Sequence, residues 1–133
     1  MKNKKWGSAA VLAAALSLSL YGCMSVDSKP ANNFVMVAAG ERAESLTLGG
    51  AVPTALSNGM SVTLPANSRW QKTGALPQGD VYRRVDGVFT IVSQRQEEAW
   101  AVVSAGNLIG FYYPVAKRYT TVAAPVRIRL EPR

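Results

Sequence analysis

From Phe34 onward, apolar residues recur with a period of two, and turn residues interrupt them every few positions. The clearest alternations are Met60, Val62, Leu64 and Val126, Ile128, Leu130. Because successive side chains of a β-strand point to opposite faces, this period predicts strands with one buried face. No segment of twelve or more residues shows a helical period. The sequence therefore predicts one all-β domain over residues 34–133.

Turn residues divide the predicted strands into hairpins. Asn-Gly or Asp-Gly between two apolar segments is a strong hairpin signal, because tight hairpin turns need residues with positive φ. The predicted hairpins turn at 58–59, at 86–87 between segments 81–85 and 88–92, and at 105–107 between segments 99–104 and 108–113. Residues 94–99 have helix propensity but suit a loop equally well. We expect a single small antiparallel sheet or a partly closed barrel built from hairpins.

Residues 1–22 have the composition of a secretory signal peptide. Lys2, Lys4 and Lys5 precede an apolar stretch from about Ala9 to Leu20. That stretch is shorter than the roughly 20 apolar residues that cross a bilayer. A positive flank, a short apolar core and small residues at its end are typical of signal peptides. We expect a signal-peptide helix that precedes the fold.

The apolar stretch ends in Leu20-Tyr21-Gly22-Cys23. It resembles the lipobox of bacterial lipoproteins, in which Leu, a small or aliphatic residue and Gly or Ala precede Cys; Tyr21 departs from this pattern. The resemblance implies that Cys23 carries a diacylglycerol, that the chain is cut before it, and that its new amine is acylated. Each buried CH₂ contributes about 0.8 kcal/mol, so three acyl chains would be a permanent anchor. The alternative is a plain signal peptide with an incidental Cys, or an uncleaved N-terminal helix.

Met24 follows the expected lipidation site. In the enterobacterial lipoproteins that this segment resembles, Asp at that place favours the inner membrane, so Met24 implies the outer membrane, with the domain on its periplasmic face. Residues 24–33 are polar and contain Pro30, which predicts a flexible tether. The expected organisation is a signal peptide (1–22), a lipidated Cys and tether (23–33) and a periplasmic β-domain (34–133).

The net charge does not indicate a nucleic-acid partner. The chain has 15 basic and 8 acidic residues, a net charge of +7, but residues 1–22 hold three of the lysines, which leaves +4. That value is ordinary for a small domain. Arg83, Arg84, Arg127 and Arg129 are expected on solvated strand faces. Contact with anionic envelope polymers or lipid headgroups is their functional alternative.

Composition excludes several kinds of catalytic site. The chain has no His and one Cys, so it cannot build a Ser-His-Asp triad, a His/Cys zinc site or an internal disulfide. Glu97 and Glu98 are adjacent and would point to opposite faces of a strand, whereas paired glycosidase carboxylates face each other across about 5–9.5 Å. Asp80 and Asp86 lie near predicted turns. We expect no catalytic residue, no metal and no cofactor apart from the acyl groups.

The segment 100–111, WAVVSAGNLIGF, resembles the last hairpin of bacterial Src-homology-3-like domains. Those domains have a Trp, a Val a few residues on, a Gly turn, and then Gly followed by an aromatic residue. The similarity covers roughly residues 79–113. The family's opening Asn-Val-Arg-like strand is not evident upstream. The resemblance is therefore an indication of fold, and no ligand follows from it.

Large rings and cations at the end of the third hairpin are the best candidates for a binding surface. On a strand, alternate rings of Phe111, Tyr112 and Tyr113 face opposite sides, so either Tyr112 or its two neighbours would face solvent. An exposed ring there would stack on sugar or peptide groups, or hold a protein partner. The candidate binding residues are Trp100, Tyr112, Lys117, Arg118 and Tyr119.

These observations predict a lipid-anchored envelope protein whose β-domain is a non-catalytic binding or assembly module. Its expected partner is another envelope protein or the cell wall. The first alternative is a peptidoglycan-binding module, which predicts a groove lined by Tyr112, Tyr119 or Trp100. The second is a small inhibitor of a hydrolase, which predicts a protruding loop at 93–99.

Overall fold

A computed structural model describes residues 28–38 and 44–128, which form twelve β-strands and no helix. No helix capable of crossing a membrane occurs among these residues. The expected signal-peptide helix and Cys23 lie outside them, and the all-β prediction is confirmed within them. The strands are β1 (Lys29–Pro30), β2 (Val35–Met36), β3 (Ser45–Thr47), β4 (Val52–Ala55), β5 (Ser61–Leu64), β6 (Arg69–Leu76), β7 (Gly79–Arg84), β8 (Thr90–Val92), β9 (Gln96–Glu98), β10 (Trp100–Ser104), β11 (Asn107–Tyr113) and β12 (Arg118–Arg127).

Eight strands form one antiparallel sheet. Its order is β1-β12-β11-β10-β7-β6-β2, and β3 also pairs with β6. The remaining strands form two separate hairpins, β4–β5 and β8–β9. The centre of the sheet is thus built from two long hairpins, β6–β7 and β10–β11, which pair through β7 and β10.

The sheet is curled into a half-barrel, and its connectivity requires this. β1 and β2 lie at opposite ends of the sheet order, six interstrand spacings apart. In a flat sheet, about 4.8 Å per spacing would separate them by about 29 Å. Pro30 and Val35 are five residues apart in the sequence, and an extended chain covers at most about 18 Å over five residues. The two ends must therefore approach each other.

Both faces of the sheet are buried. The larger core contains Trp70, Phe89 and Phe111, and the two separate hairpins cover it with buried residues such as Leu64 and Ile91. The smaller core, on the other face, contains Val81, Val102, Tyr112 and Tyr119. Sheets packed on both sides no longer show a simple alternation of buried and exposed residues.

The expectation of exposed rings on β11 was wrong. Phe111 and Tyr113 belong to the larger core and Tyr112 to the smaller one, and each is at most 4% exposed. Residues 31–34, here called the crossing segment, run between β1 and β2 and cover Tyr112. The Phe34 ring stacks on the Tyr112 ring with centroids 4.9 Å apart.

The chain from Ser28 onward is part of the fold, whereas residues 23–33 were expected to be a flexible tether. Lys29 and Pro30 pair with Tyr119 and Arg118 of β12. The Ala31 N–H donates to the Lys117 carbonyl at 2.9 Å. The small apolar side chain of Ala31 and the ring of Phe34 bury themselves against the smaller core, which explains why this stretch does not remain free.

Two of the predicted hairpins are confirmed. In β4–β5 residues 56–60 connect the two strands, with Gly59 at φ +90°. The Asn58 Oδ1 accepts from the Met60 N–H at 2.9 Å. In β10–β11 the turn is Ala105-Gly106, with φ values of +52° and +79°. Positive φ at both central residues matches the twist of the flanking strands.

The predicted hairpin at Asp86-Gly87 was wrong. β7 already has β6 on one side and β10 on the other, so no edge remains for β8. The turn closes locally instead, because the Arg84 Nε donates to the Asp86 carboxylate at 2.8 Å. β8 pairs with β9, in the stretch that suited a helix or a loop.

Candidate functional site

A small polar cleft of about 140 Å³ lies where the β8–β9 turn, the β11–β12 turn and the start of β1 meet. These segments converge although they are far apart in the sequence. The lining residues are Ser28, Ile91, Ser93, Gln94, Arg95, Glu97, Tyr113, Ala116 and Arg118. Two guanidinium groups, one carboxylate and one phenol therefore border the same space.

The Tyr113 phenol is a buried polar group of the cleft. It ends β11, is 4% exposed, and its hydroxyl has no hydrogen-bond partner among the described residues. Burial, with a contribution from the Glu97 carboxylate, raises the pKa of Tyr113 to about 12. The phenol therefore remains protonated at neutral pH and keeps a hydrogen that it can donate. A buried hydroxyl without an acceptor costs roughly 1–3 kcal/mol.

Arg118 joins the cleft to the start of the described chain. Its Nε donates to the Ser28 hydroxyl at 2.7 Å and its Nη2 donates to the Ser28 carbonyl at 2.5 Å. These two hydrogen bonds from one planar guanidinium hold the Arg118 side chain against Ser28. The Arg118 position, and with it one wall of the cleft, therefore depends on β1 being paired.

Arg95 and Glu97 supply opposite charges on the β8–β9 hairpin. Arg95 is exposed at its turn, and Glu97 is half-buried. Neither forms an ion pair within residues 28–38 and 44–128, where the ion pairs are Lys72 with Glu44 and Asp80, and Arg84 with Asp86. Both groups are thus available to a molecule that enters the cleft.

The five binding candidates from the sequence separate into two groups. Trp100, Tyr112 and Tyr119 pack in or against the smaller core, and the Trp100 ring lies 6.0 Å from that of Tyr112. Arg118 lines the cleft and Lys117 lies beside it, exposed in the β11–β12 turn. The rings therefore stabilise the fold. Of the five candidates, only Lys117 and Arg118 lie at the end of the domain that carries the cleft.

A groove containing Tyr119 does exist, as a peptidoglycan-binding module would require. It measures about 430 Å³ and is also lined by Lys29, Pro30, Ile109 and Pro125. Tyr112 and Trp100 do not line it. Tyr119 is itself 6% exposed, and its hydroxyl donates to the Ile109 carbonyl at 3.3 Å. Little of the ring is therefore free to stack on a sugar.

The acids occupy separate surroundings. Glu97 lines the cleft, whereas Glu98 accepts from the Trp100 indole N–H at 2.9 Å. Asp80 pairs with Lys72 at 3.4 Å, and the Arg84 guanidinium beside Asp86 holds the pKa of that carboxyl below its usual value. Across the described part of the chain, no three potential metal ligands come together.

No protein-family model, curated protein or solved structure matches this chain. What the site can do therefore follows from its own chemistry. The two arginines suit an anionic oxygen group, and the carboxylate suits an ammonium or another hydrogen-bond donor.

Sequence reasoning named Arg118 as a binding residue, considered Glu97 and Tyr113 without selecting them, and missed Ser28 and Arg95. Ser28 lies 90 residues from Arg118 in the sequence, and no local pattern relates them. One signal was present: Tyr113 ends a strand next to Pro114 and a cationic turn. That position places a phenol at the rim of a sheet rather than at its centre.

Proposed function

We propose that this chain is a lipid-anchored envelope protein, held in the outer membrane through Cys23 with its β-domain on the periplasmic face, and that the domain is a non-catalytic binding module. The anchor confines the domain to the membrane surface, where its effective concentration toward envelope partners is high. The support for anchoring is the lipobox-like Leu20-Tyr21-Gly22-Cys23.

The observation that carries the binding role is the cleft beside Tyr113. A domain that serves only as a spacer gains nothing from two arginines and a carboxylate that border one cleft without ion-pair partners among the described residues. A bound ligand of mixed charge would supply partners for these side chains.

The anchor is tested by the intact mass of the membrane-extracted protein beside that of a Cys23→Ser variant. We expect a chain that begins at Cys23 and carries three acyl chains, with loss of this mass in the variant. An unmodified chain cut elsewhere would contradict the proposal. Fractionation of the two membranes tests the location: native protein in the outer membrane, Met24→Asp protein in the inner one.

The binding role is tested with a photo-crosslinking residue in place of Gln94, which lines the cleft. The matched control places the same residue at Thr63, which is exposed on β5 at a distance from the cleft in sequence and sheet. In intact cells we expect a discrete adduct from position 94 that position 63 does not give. Equal labelling from both positions would contradict a specific site.

A further inference from the structure

The cleft lies within five residues of the proposed lipid anchor along the chain. Ser28 lines the cleft and follows Cys23 by five residues. Five extended residues reach at most about 18 Å. If Cys23 is lipidated, which is the proposed function on which this inference rests, the cleft end of the domain cannot lie far from the bilayer surface.

The end that carries the cleft is cationic. Lys29 follows Ser28, Arg95 lies in the β8–β9 turn, and Lys117 and Arg118 lie at the β11–β12 turn. None of the four forms an ion pair with another described residue. Each Lys or Arg near an anionic membrane surface contributes about 1 kcal/mol of attraction.

The turns at this end also expose apolar side chains. Val115, between Pro114 and Ala116 in the β11–β12 turn, is 88% exposed, and Val92, before the β8–β9 turn, is 60% exposed. One exposed apolar residue is ordinary on a soluble protein. Val115 in its turn and Val92 at the end of β8 add apolar surface beside these cations, and cations together with apolar side chains favour the interfacial layer of a bilayer.

The charged side chains that line the cleft suit a specific lipid headgroup. Arg95 and Arg118 are donors suited to phosphate oxygens, and Glu97 is an acceptor suited to an ammonium. In a site for phosphate alone, the Glu97 carboxylate would repel the ligand. A phosphoethanolamine headgroup carries both charges in a group small enough for a cleft of about 140 Å³.

We propose that this end of the domain docks on the bilayer, and that the cleft binds a phosphatidylethanolamine headgroup with its phosphate toward Arg95 and Arg118 and its ammonium toward Glu97. The acyl chains hold the protein in the membrane, and the headgroup fixes the orientation of the domain. The Arg118 bonds to Ser28 connect the anchored end of the chain to the headgroup site.

The test uses the mature chain, residues 23–133, with Cys23→Ser, because acyl chains would mask weaker contacts; both cores described above lie within residues 28–128. Its sedimentation is measured with two sets of vesicles. Both contain the same fraction of phosphatidylglycerol, and the remainder is phosphatidylethanolamine in one set and phosphatidylcholine in the other. We expect several-fold tighter binding to the first set, because the trimethylammonium of choline is bulky and has no N–H.

Three variants make the test specific. Glu97→Gln should remove the difference between the two sets of vesicles, and Arg95→Gln should weaken binding to both about five-fold. Arg83→Gln, at an exposed position on β7, is the matched charge control and should change neither. Circular dichroism confirms that each variant is folded.

Equal binding to both vesicle sets, or no effect of Glu97→Gln, would overturn the headgroup site. Failure of the acyl-free chain to bind either set would overturn docking, even where free phosphoethanolamine binds. Each of these outcomes is independent of the intact mass of the native protein. Failure of the docking proposal and failure of lipidation are therefore distinguishable.

Discussion

At the scale of single residues, Tyr113 is a buried polar group that lowers stability. Its hydroxyl has no acceptor among the described residues, so Tyr113→Phe should raise the free energy of unfolding by about 1 kcal/mol. Urea denaturation in the absence of lipid measures this. Tyr112→Phe is the control, because the Tyr112 hydroxyl is not among the buried groups without a partner, and its change should be smaller. A destabilised Tyr113→Phe protein would show that the hydroxyl does have an acceptor.

Ser68 is the opposite case, a buried polar group whose hydroxyl both donates and accepts a hydrogen bond. Its hydroxyl donates to the Pro65 carbonyl at 2.6 Å and accepts from the Trp70 indole N–H at 2.8 Å. Ser68 and Trp70 are each 1% exposed.

Ser68→Ala would leave the indole N–H of Trp70 unpaired in the larger core. We expect a loss of roughly 1–3 kcal/mol in the free energy of unfolding, measured by urea denaturation followed through tryptophan fluorescence. Ser61→Ala, at an exposed position on β5, should change stability little. Equal stability of the two variants would mean that the indole finds another acceptor.

At the scale of elements, the crossing segment closes the smaller core and holds the two ends of the sheet together. It contacts β6 closely at Gly74, where a Cβ would overlap both the Phe34 ring and the Val35 carbonyl oxygen. The β2–β6 pairing depends on this approach, since Met36 is the register partner of Gly74.

Gly74→Ala should therefore displace the crossing segment and destabilise the fold by about 1–3 kcal/mol. Hydrogen exchange gives the location of the damage: the Val37 N–H, bonded to the Thr73 carbonyl, and the Ala31 N–H, bonded to the Lys117 carbonyl, should lose protection first. Gly50→Ala is the matched control, because a Cβ there meets nothing within 4 Å. Retained protection in Gly74→Ala would contradict this role for the segment.

Hairpins with a strong local turn were predictable, and longer-range pairings were not. Gly59 and Gly106 have positive φ, a conformation that glycine adopts without steric cost. Asp86-Gly87 has an equally good turn sequence, yet β8 pairs with β9 because both edges of β7 are occupied. Occupation of an edge is a property of the whole sheet, so a local pattern cannot reveal it.

The same limit explains why the burial of all three β11 rings was not predicted. Alternation predicted that one side of β11 faces solvent, and this holds only if nothing covers the second face. The crossing segment covers it, and residues 31–34 contain too few apolar side chains to indicate that role. Arg118 was recognised from its local charge, whereas the cleft around it depends on contacts across 90 residues of sequence.

At the scale of the whole molecule, two tyrosines connect stability to alkaline pH. Burial is the largest cause that raises the pKa of Tyr82 to about 12, with contributions from Glu44 and Asp80. Burial and Glu97 raise that of Tyr113 to about 12. Both side chains belong to the larger core, which most of the sheet and both separate hairpins surround. Neither phenol ionises easily while that core is closed.

Because the folded-state pKa of each tyrosine lies above the unfolded value of about 10, their contribution to stability is complete below pH 10. It is lost as the pH rises toward 12, where the unfolded chain has released these protons and the folded chain still holds them. We therefore expect the free energy of unfolding to fall more steeply between pH 10 and pH 12 in the native sequence than in a Tyr82→Phe/Tyr113→Phe double variant. Urea denaturation at several pH values measures both proteins, which differ only at these two phenols. Parallel curves would mean that the two phenols ionise as readily in the folded protein as in the unfolded chain, which the closed larger core does not permit.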